Sequence, residues 1–127
     1  MSQNKLLFLI DDDADDQEIF KSALADIDRR LNLLTASNGI DALEVLQSVP
    51  VLPDYIFVDL NMPRMGGLQF LKEIKKTNKL KDIPVFVYST SSNPRDISAT
   101  KDLGAESFIT KPSRFSELCT LLQTLLK

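Results

Sequence analysis

Tyr55-Ile56-Phe57-Val58-Asp59-Leu60-Asn61-Met62-Pro63 is the stretch that decides the fold of this 127-residue chain. Four large apolar residues run into a carboxylate, with Pro53 before them and Pro63 after. A continuous apolar run between breakers reads as a strand buried on both faces, the kind found in parallel sheets covered by helices. Ligands of such sheets gather at the carboxyl ends of the strands, and Asp59 stands at that end.

Toward the N-terminus, Leu6 to Ile10 is a second apolar run, ending at Asp11. Asp12 to Asp16 is acid-rich and leads into Ile19, Phe20, Ala23, Leu24 and Ile27, the spacing of one helix face. Its acids fall in the cap and first turn, where the helix dipole favours them. Leu31 to Ala36 is a short strand, Ser37-Asn38-Gly39 a turn, and Ala42, Leu43 and Leu46 mark a helix that stops before Pro50. On the other side of the central strand, Gly66 and Gly67 lie in a connection. Leu68, Leu71 and Ile74 then mark a third helix, with Lys72, Lys75, Lys76 and Lys79 on its solvent side.

Pro84 to Tyr88 is a fourth strand, since proline is tolerated at a strand's first position. A polar loop, Ser89 to Pro94, leads to a fourth helix over 95–103, ended by Gly104. Ser107 to Thr110 is a fifth strand, followed by Lys111-Pro112, and Phe115, Leu118, Leu122 and Leu125 repeat at helical spacing. Strands and helices alternate throughout. That pattern requires right-handed βαβ crossovers and an α/β, doubly wound parallel sheet with helices on both faces. Five strands suit the flavodoxin-like order 2-1-3-4-5 better than the six-stranded dinucleotide fold.

Composition bounds the chemistry. The length suits one domain, 1–127, with a core that needs no staples. A net charge of -3 with scattered Lys and Arg gives no footprint for nucleic acid or an anionic membrane. The single cysteine, Cys119, excludes an intramolecular disulfide and reads as packing. Histidine is absent, which removes the commonest general base and zinc ligand. No apolar run has the length of a membrane span or signal peptide, so the expected location is cytoplasmic.

The residues just past the first, third, fourth and fifth strands are Asp11 and Asp12, Asp59, Ser89 and Thr90, and Lys111. Singly, each has an ordinary reading: Asp as cap or turn residue, Ser89 as plain loop, Lys111 as a solvated charge. Together they converge on one rim. Three carboxylates and one ammonium leave two negative charges, which one divalent ion cancels. All-oxygen donors point to a hard ion, Mg²⁺ before Mn²⁺ or Ca²⁺, held by Asp12 and Asp59 with Asp11 in support. Asp59 is then placed to attack phosphorus as a carboxylate nucleophile. Lys111 and Ser89 would meet phosphoryl oxygens, the positioning and charge stabilisation that phosphoryl transfer needs.

The motifs Leu9-Ile10-Asp11-Asp12-Asp13, Val58-Asp59-Leu60-Asn61-Met62-Pro63-Arg64-Met65-Gly66-Gly67, Ile83-Pro84-Val85 through Ser89, and Phe108-Ile109-Thr110-Lys111-Pro112 span nearly the whole chain. In combination they resemble the receiver domain of bacterial response regulators. A chemotaxis receiver is itself a type example of the 2-1-3-4-5 order, so strand order and resemblance are one expectation, not two. The resemblance implies Asp59 as phosphoacceptor and Mg²⁺ on Asp12, Asp59 and the Asn61 carbonyl, with Asp11 assisting through water. It implies Lys111 and the Thr90 N–H as phosphoryl contacts, Ser89 and Phe108 as a switch pair, and a cis Lys111–Pro112 bond. Ser89 replaces the commoner Thr, Phe108 the common Tyr, and Gly66 a position that is often acidic.

The implied function is a two-component switch, loaded by a sensor histidine kinase or phosphotransfer protein and signalling through protein contacts. It would be self-phosphorylating, not a turnover enzyme. The chain ends one helix after Lys111, so no output domain is expected within it. The segments 95–103, 107–110 and 113–126 are the candidate surface for a homodimer. Three rivals stand beside this reading. A pseudo-receiver binding module would never take phosphate. An aspartyl-phosphate hydrolase usually carries a second Asp where Asn61 stands here. A flavin or nucleotide carrier would need a Gly-, Ser- or Thr-rich loop where this chain has Asp11 to Asp16.

Overall fold

In a computed structural model, residues 4–126 are described. Ten elements alternate: β1 (Lys5–Ile10), α1 (Ala14–Ile27), β2 (Leu31–Ala36), α2 (Gly39–Ser48), β3 (Tyr55–Val58), α3 (Gly67–Lys75), β4 (Val85–Ser89), α4 (Pro94–Asp102), β5 (Ser107–Thr110) and α5 (Phe115–Leu125). The strands form one parallel sheet in the order β2-β1-β3-β4-β5. Register sets Ile10 beside both Ala36 and Val58, so β1 and β3 end level with each other.

Strand residues alternate between two cores. Phe8, Ile10, Ile56, Val58, Val85 and Val87 face Ala42, Leu46, Phe70, Leu71 and Ile74 of α2 and α3. Leu7, Leu9, Phe57, Phe86, Tyr88 and Ile109 face Phe20, Ala23, Leu24, Leu118 and Leu122 of α1 and α5. An aromatic cluster fills the second core: Phe57 stacks on Phe86 at 5.1 Å between centroids and meets Phe20 edge-on at 5.2 Å. Such pairs each add about 0.5–1.5 kcal/mol beyond area burial.

Helix ends follow local chemistry. Asp13 caps α1, its Oδ1 accepting the N–H groups of Asp15 and Asp16. Asn38 caps α2 through the Asp41 N–H, and Asn93 caps α4 through the Arg95 N–H. Gly104 takes φ +93° beyond α4, the left-handed conformation expected there. No described helix is long and apolar enough to cross a membrane.

Four expectations need correction. Ile19 is 47% and Phe115 45% exposed, although both match the apolar spacing of their helices. The buried stripe of α1 runs through Phe20, Ala23 and Leu24, which leaves Ile19 at its margin, and Phe115 is the first residue of α5, ahead of its buried Leu118 and Leu122. Lys75 is half-buried, its Nζ donating to the Lys81 carbonyl at 3.0 Å while its stem lies beside Gly104. The Lys111–Pro112 bond is trans, as is every described peptide bond. Trans is the lower-energy form even before proline, and here the Lys111 ammonium reaches the rim with it.

Candidate functional site

Parity places the ionic residues. Asp11 continues the β1 face of Leu7 and Leu9, Asp59 the β3 face of Phe57, and Lys111 the β5 face of Ile109. All three therefore belong to the side of the sheet that α1 covers. Lys111 Nζ donates to Asp11 Oδ2 at 2.8 Å, to Asp59 Oδ2 at 3.0 Å and to Asp16 Oδ2 at 2.7 Å. Asp11 is fully buried, and its Oδ1 also accepts the Asp13 N–H at 3.0 Å. Gln17 Nε2 donates to the Asp11 carbonyl at 2.6 Å, pinning α1 to the end of β1. The Asp59 N–H bonds the Ile10 carbonyl at 3.0 Å, so the two acids share a ladder rung.

Electrostatics follow from burial and pairing. Burial pushes the Asp11 carboxyl above its usual range, and hydrogen bonds from Lys111 and Asp13 moderate the rise. Burial opposes the Lys111 ammonium, yet the bonds to Asp11, Asp16 and Asp59 outweigh it and hold its pKa above the ordinary lysine value. The Lys111 ammonium lies 5.5 Å over the Tyr88 ring. Burial raises the Tyr88 phenol to about 12, against the pull of that cation.

Asp11, Asp12 and Asp59 each bring a carboxylate oxygen to within 4.8 Å of the others. This donor set, oxygen only and open to solvent through exposed Asp12, fits a hard divalent cation that keeps some of its water. Asp16 is the residue that sequence reasoning missed, and it corrects the charge count. With four carboxylates around one ammonium, a divalent ion leaves one negative charge. The signal lay in the sequence: Asp16, Phe20, Ala23 and Leu24 form one i, i+4, i+7, i+8 stripe, so the first turn aims an acid where the next aims Phe20 into the core.

Ser89 and Phe108 belong to the opposite side. Ser89 continues the face of Val85 and Val87, is fully buried, and its Oγ accepts the Ser91 N–H at 3.2 Å. Half-buried Phe108 packs against the α2–α3 core. Asn61 and Thr90 lie exposed in the loops after β3 and β4, and neither has a side-chain hydrogen bond into the carboxylate–ammonium cluster among the described residues.

The loop after Asp59 is tightly folded. The Met65 N–H bonds the Pro63 carbonyl at 2.7 Å across Arg64, whose φ is +66°, a γ-turn of the rare positive-φ kind. A Cβ on Gly66 would stand 2.7 Å from the Leu60 carbonyl oxygen, and one on Gly67 would clash with the Asp59 carbonyl. A side chain at Gly66, the departure from the often acidic family position, would therefore force the loop to shift, and with glycine as its N-cap α3 starts without a side-chain cap.

The sequence model of the response regulator receiver domain matches residues 7–123, and the chain belongs to that family. Rcp1 of Synechocystis sp. is 32% identical over 126 residues, covering 94% of this chain and 84% of that protein. The sensor histidine kinase CheAY of Helicobacter pylori is 32% identical over 122 residues, 96% of this chain but only 15% of the kinase. Among solved structures, the phosphorylated cyanobacterial phytochrome response regulator RcpA superposes with TM-score 0.88 at 34% identity, covering 96% of this chain and 91% of that one. The Mn²⁺-bound form of Rcp1 gives TM-score 0.82 at 30% identity, covering 95% and 91%. The protein is thus a receiver of two-component signalling on a flavodoxin-like fold.

Proposed function

We propose that residues 1–127 act as one receiver unit in which Asp59 accepts a phosphoryl group from a sensor histidine kinase or phosphotransfer protein in the cytoplasm. The observation that carries this is the meeting of the Lys111 ammonium and the Asp59 carboxylate at 3.0 Å beside the Asp11–Asp12–Asp59 cluster. Asp12 and Asp59, with Asp11 and the Asn61 carbonyl, would hold Mg²⁺. The ion supplies neutralising charge and a site for a phosphoryl oxygen. Asp59 attacks phosphorus, Lys111 meets the charge that develops on the equatorial oxygens, and the Thr90 N–H offers a further donor. Ser89 exchanges its Ser91 contact for a phosphoryl oxygen, and Phe108 follows into the space this opens. The face of α4, β5 and α5 then changes shape for a protein partner, an identical copy being one candidate. Moving such an equilibrium from mostly inactive to mostly active takes about 5 kcal/mol of differential stabilisation.

Incubation with acetyl phosphate and Mg²⁺, followed by intact mass measurement, tests this. The wild-type chain gains one phosphoryl group, and chelation of the metal abolishes the gain. Asp59→Asn gains none. A wild type that stays unmodified marks a binding module that takes no phosphate, and steady release of inorganic phosphate from unrelated phosphomonoesters marks a hydrolase.

A further inference from the structure

An ammonium has three N–H donors, and all three of Lys111 are engaged by carboxylates: Asp11 at 2.8 Å, Asp16 at 2.7 Å and Asp59 at 3.0 Å. A phosphoryl group on Asp59 needs one of them, because its charge must be met by the cation. Asp11 is badly placed to yield, since its side chain is 0% exposed and a buried carboxylate stripped of its cation is costly. Asp59 carries the incoming group itself. Asp16 is the most exposed of the three, at 32% against 12% for Asp59, so water can take over its oxygen. It also stands outside the set that could hold a metal.

We infer that Asp16 is a placeholder for the phosphoryl oxygen: it holds the third donor of Lys111 while Asp59 is free and releases it when Asp59 is loaded. The inference rests on the phosphoacceptor reading of Asp59. In loading from an acyl phosphate, an Asp59 oxygen forms the new O–P bond, the donor's P–O bond breaks, and the carboxylate leaves with the electron pair. No proton changes place. Asp16 touches Lys111 and not the reacting atoms, so it is a positioning residue. Its backbone is fixed because Asp13 Oδ1 accepts the Asp15 and Asp16 N–H groups at 2.9 and 3.1 Å. Only the side chain has to swing away. Between phosphorylation events the ammonium stays aimed at the rim, at the cost of a competitor that each loading must displace.

The test compares the full chain with Asp16→Asn and Asp15→Asn, loaded with acetyl phosphate at saturating Mg²⁺. Asp15→Asn removes the same charge one residue away, from an exposed side chain with no ion pair among the described residues. Asp16→Asn loads about three- to tenfold faster than both other proteins, the worth of one half-exposed charge-assisted hydrogen bond. Asp16→Glu keeps the competitor and loads at a rate close to wild type. A second readout is the side-chain carboxyl ¹³C resonance of Asp16, which shifts in wild-type protein on addition of beryllium fluoride and Mg²⁺. Equal loading by Asp16→Asn and Asp15→Asn, or an Asp16 resonance that does not move in protein shown to carry the group, overturns the placeholder role. A wild type that takes no phosphoryl group overturns the phosphoacceptor reading instead, so the two failures are told apart.

Discussion

Lys111 sets one positive charge against Asp11, Asp16 and Asp59, with Asp12 close by, so the rim without a metal carries excess negative charge. Burial has raised the Asp11 pKa above its unfolded value. A group shifted in that direction favours the folded state most below the unfolded pKa, and the benefit disappears as pH rises through the folded one. At pH 7 the ionised Asp11 therefore costs stability. Asp11→Asn should stabilise the metal-free protein at pH 7, because it removes the buried charge while Lys111 keeps Asp16 and Asp59 as partners. The advantage should shrink as pH falls toward 4 and narrow or reverse when Mg²⁺ is added, because the wild type, with Asp11 beside Asp12 and Asp59, then gains more binding energy than the variant. Urea melts at two pH values, with and without the ion, measure this. Asp11, Asp12, Asp59 and Lys111 were legible in the sequence because each ends an apolar run or directly follows one that does. Asp16 was not, because an acid in a first turn already has an explanation in the helix dipole.

The elements were legible wherever apolar runs met breakers: β2, β3 and β5 lie where the runs placed them, β1 starts one residue earlier, and β4 is shifted by one residue at both ends, so that Ser89 closes the strand instead of opening the loop. What spacing could not show was where the buried stripe of each helix ends, hence exposed Ile19 at the margin of the α1 stripe and exposed Phe115 at the start of α5. Nor could it show the closeness of the loop after β3. Gly67 gives a sharp element-scale expectation. Its missing Cβ leaves room for the Asp59 carbonyl, whereas the three atoms nearest a Cβ on Gly39 all belong to the Met65 side chain. Gly67→Ala should cost about 2–4 kcal/mol, a backbone clash that displaces Asp59. Gly39→Ala should cost less than half as much, as read from denaturant midpoints. α4 invites a second expectation. Thr100 is its only fully buried residue, against Phe20, Ala23 and Leu24 in α1. Its amides should exchange with deuterium well before those of α1 and α3, as the proposed change of the α4 face on loading requires. Equal protection would remove α4 as the moving part.

Across the whole molecule, the sheet divides the site in two. The ionic half lies toward α1 and α5, while Ser89 and Phe108 lie toward α2 and α3. The halves meet where the Lys111 N–H bonds the Ser89 carbonyl at 2.8 Å. In the proposed mechanism that backbone bond stays in place on loading, and the Ser89 hydroxyl is the group that carries the signal across. Ser89→Ala should still take a phosphoryl group at Asp59, yet leave the ring resonances of Phe108 where they stand in the unloaded protein. Movement of Phe108 in that variant would route the signal through Lys111 instead. All of this depends on Asp59 being the atom donor that phosphorus meets. Borohydride reduces an aspartyl phosphate to homoserine and leaves free carboxylates intact. Wild-type protein loaded with acetyl phosphate and Mg²⁺, reduced in this way and sequenced by peptide mass spectrometry, should carry homoserine in place of Asp59 and at no other aspartate. Homoserine in place of Asp11, Asp12 or Asp16, or none anywhere in protein that has gained a phosphoryl group, would contradict the account.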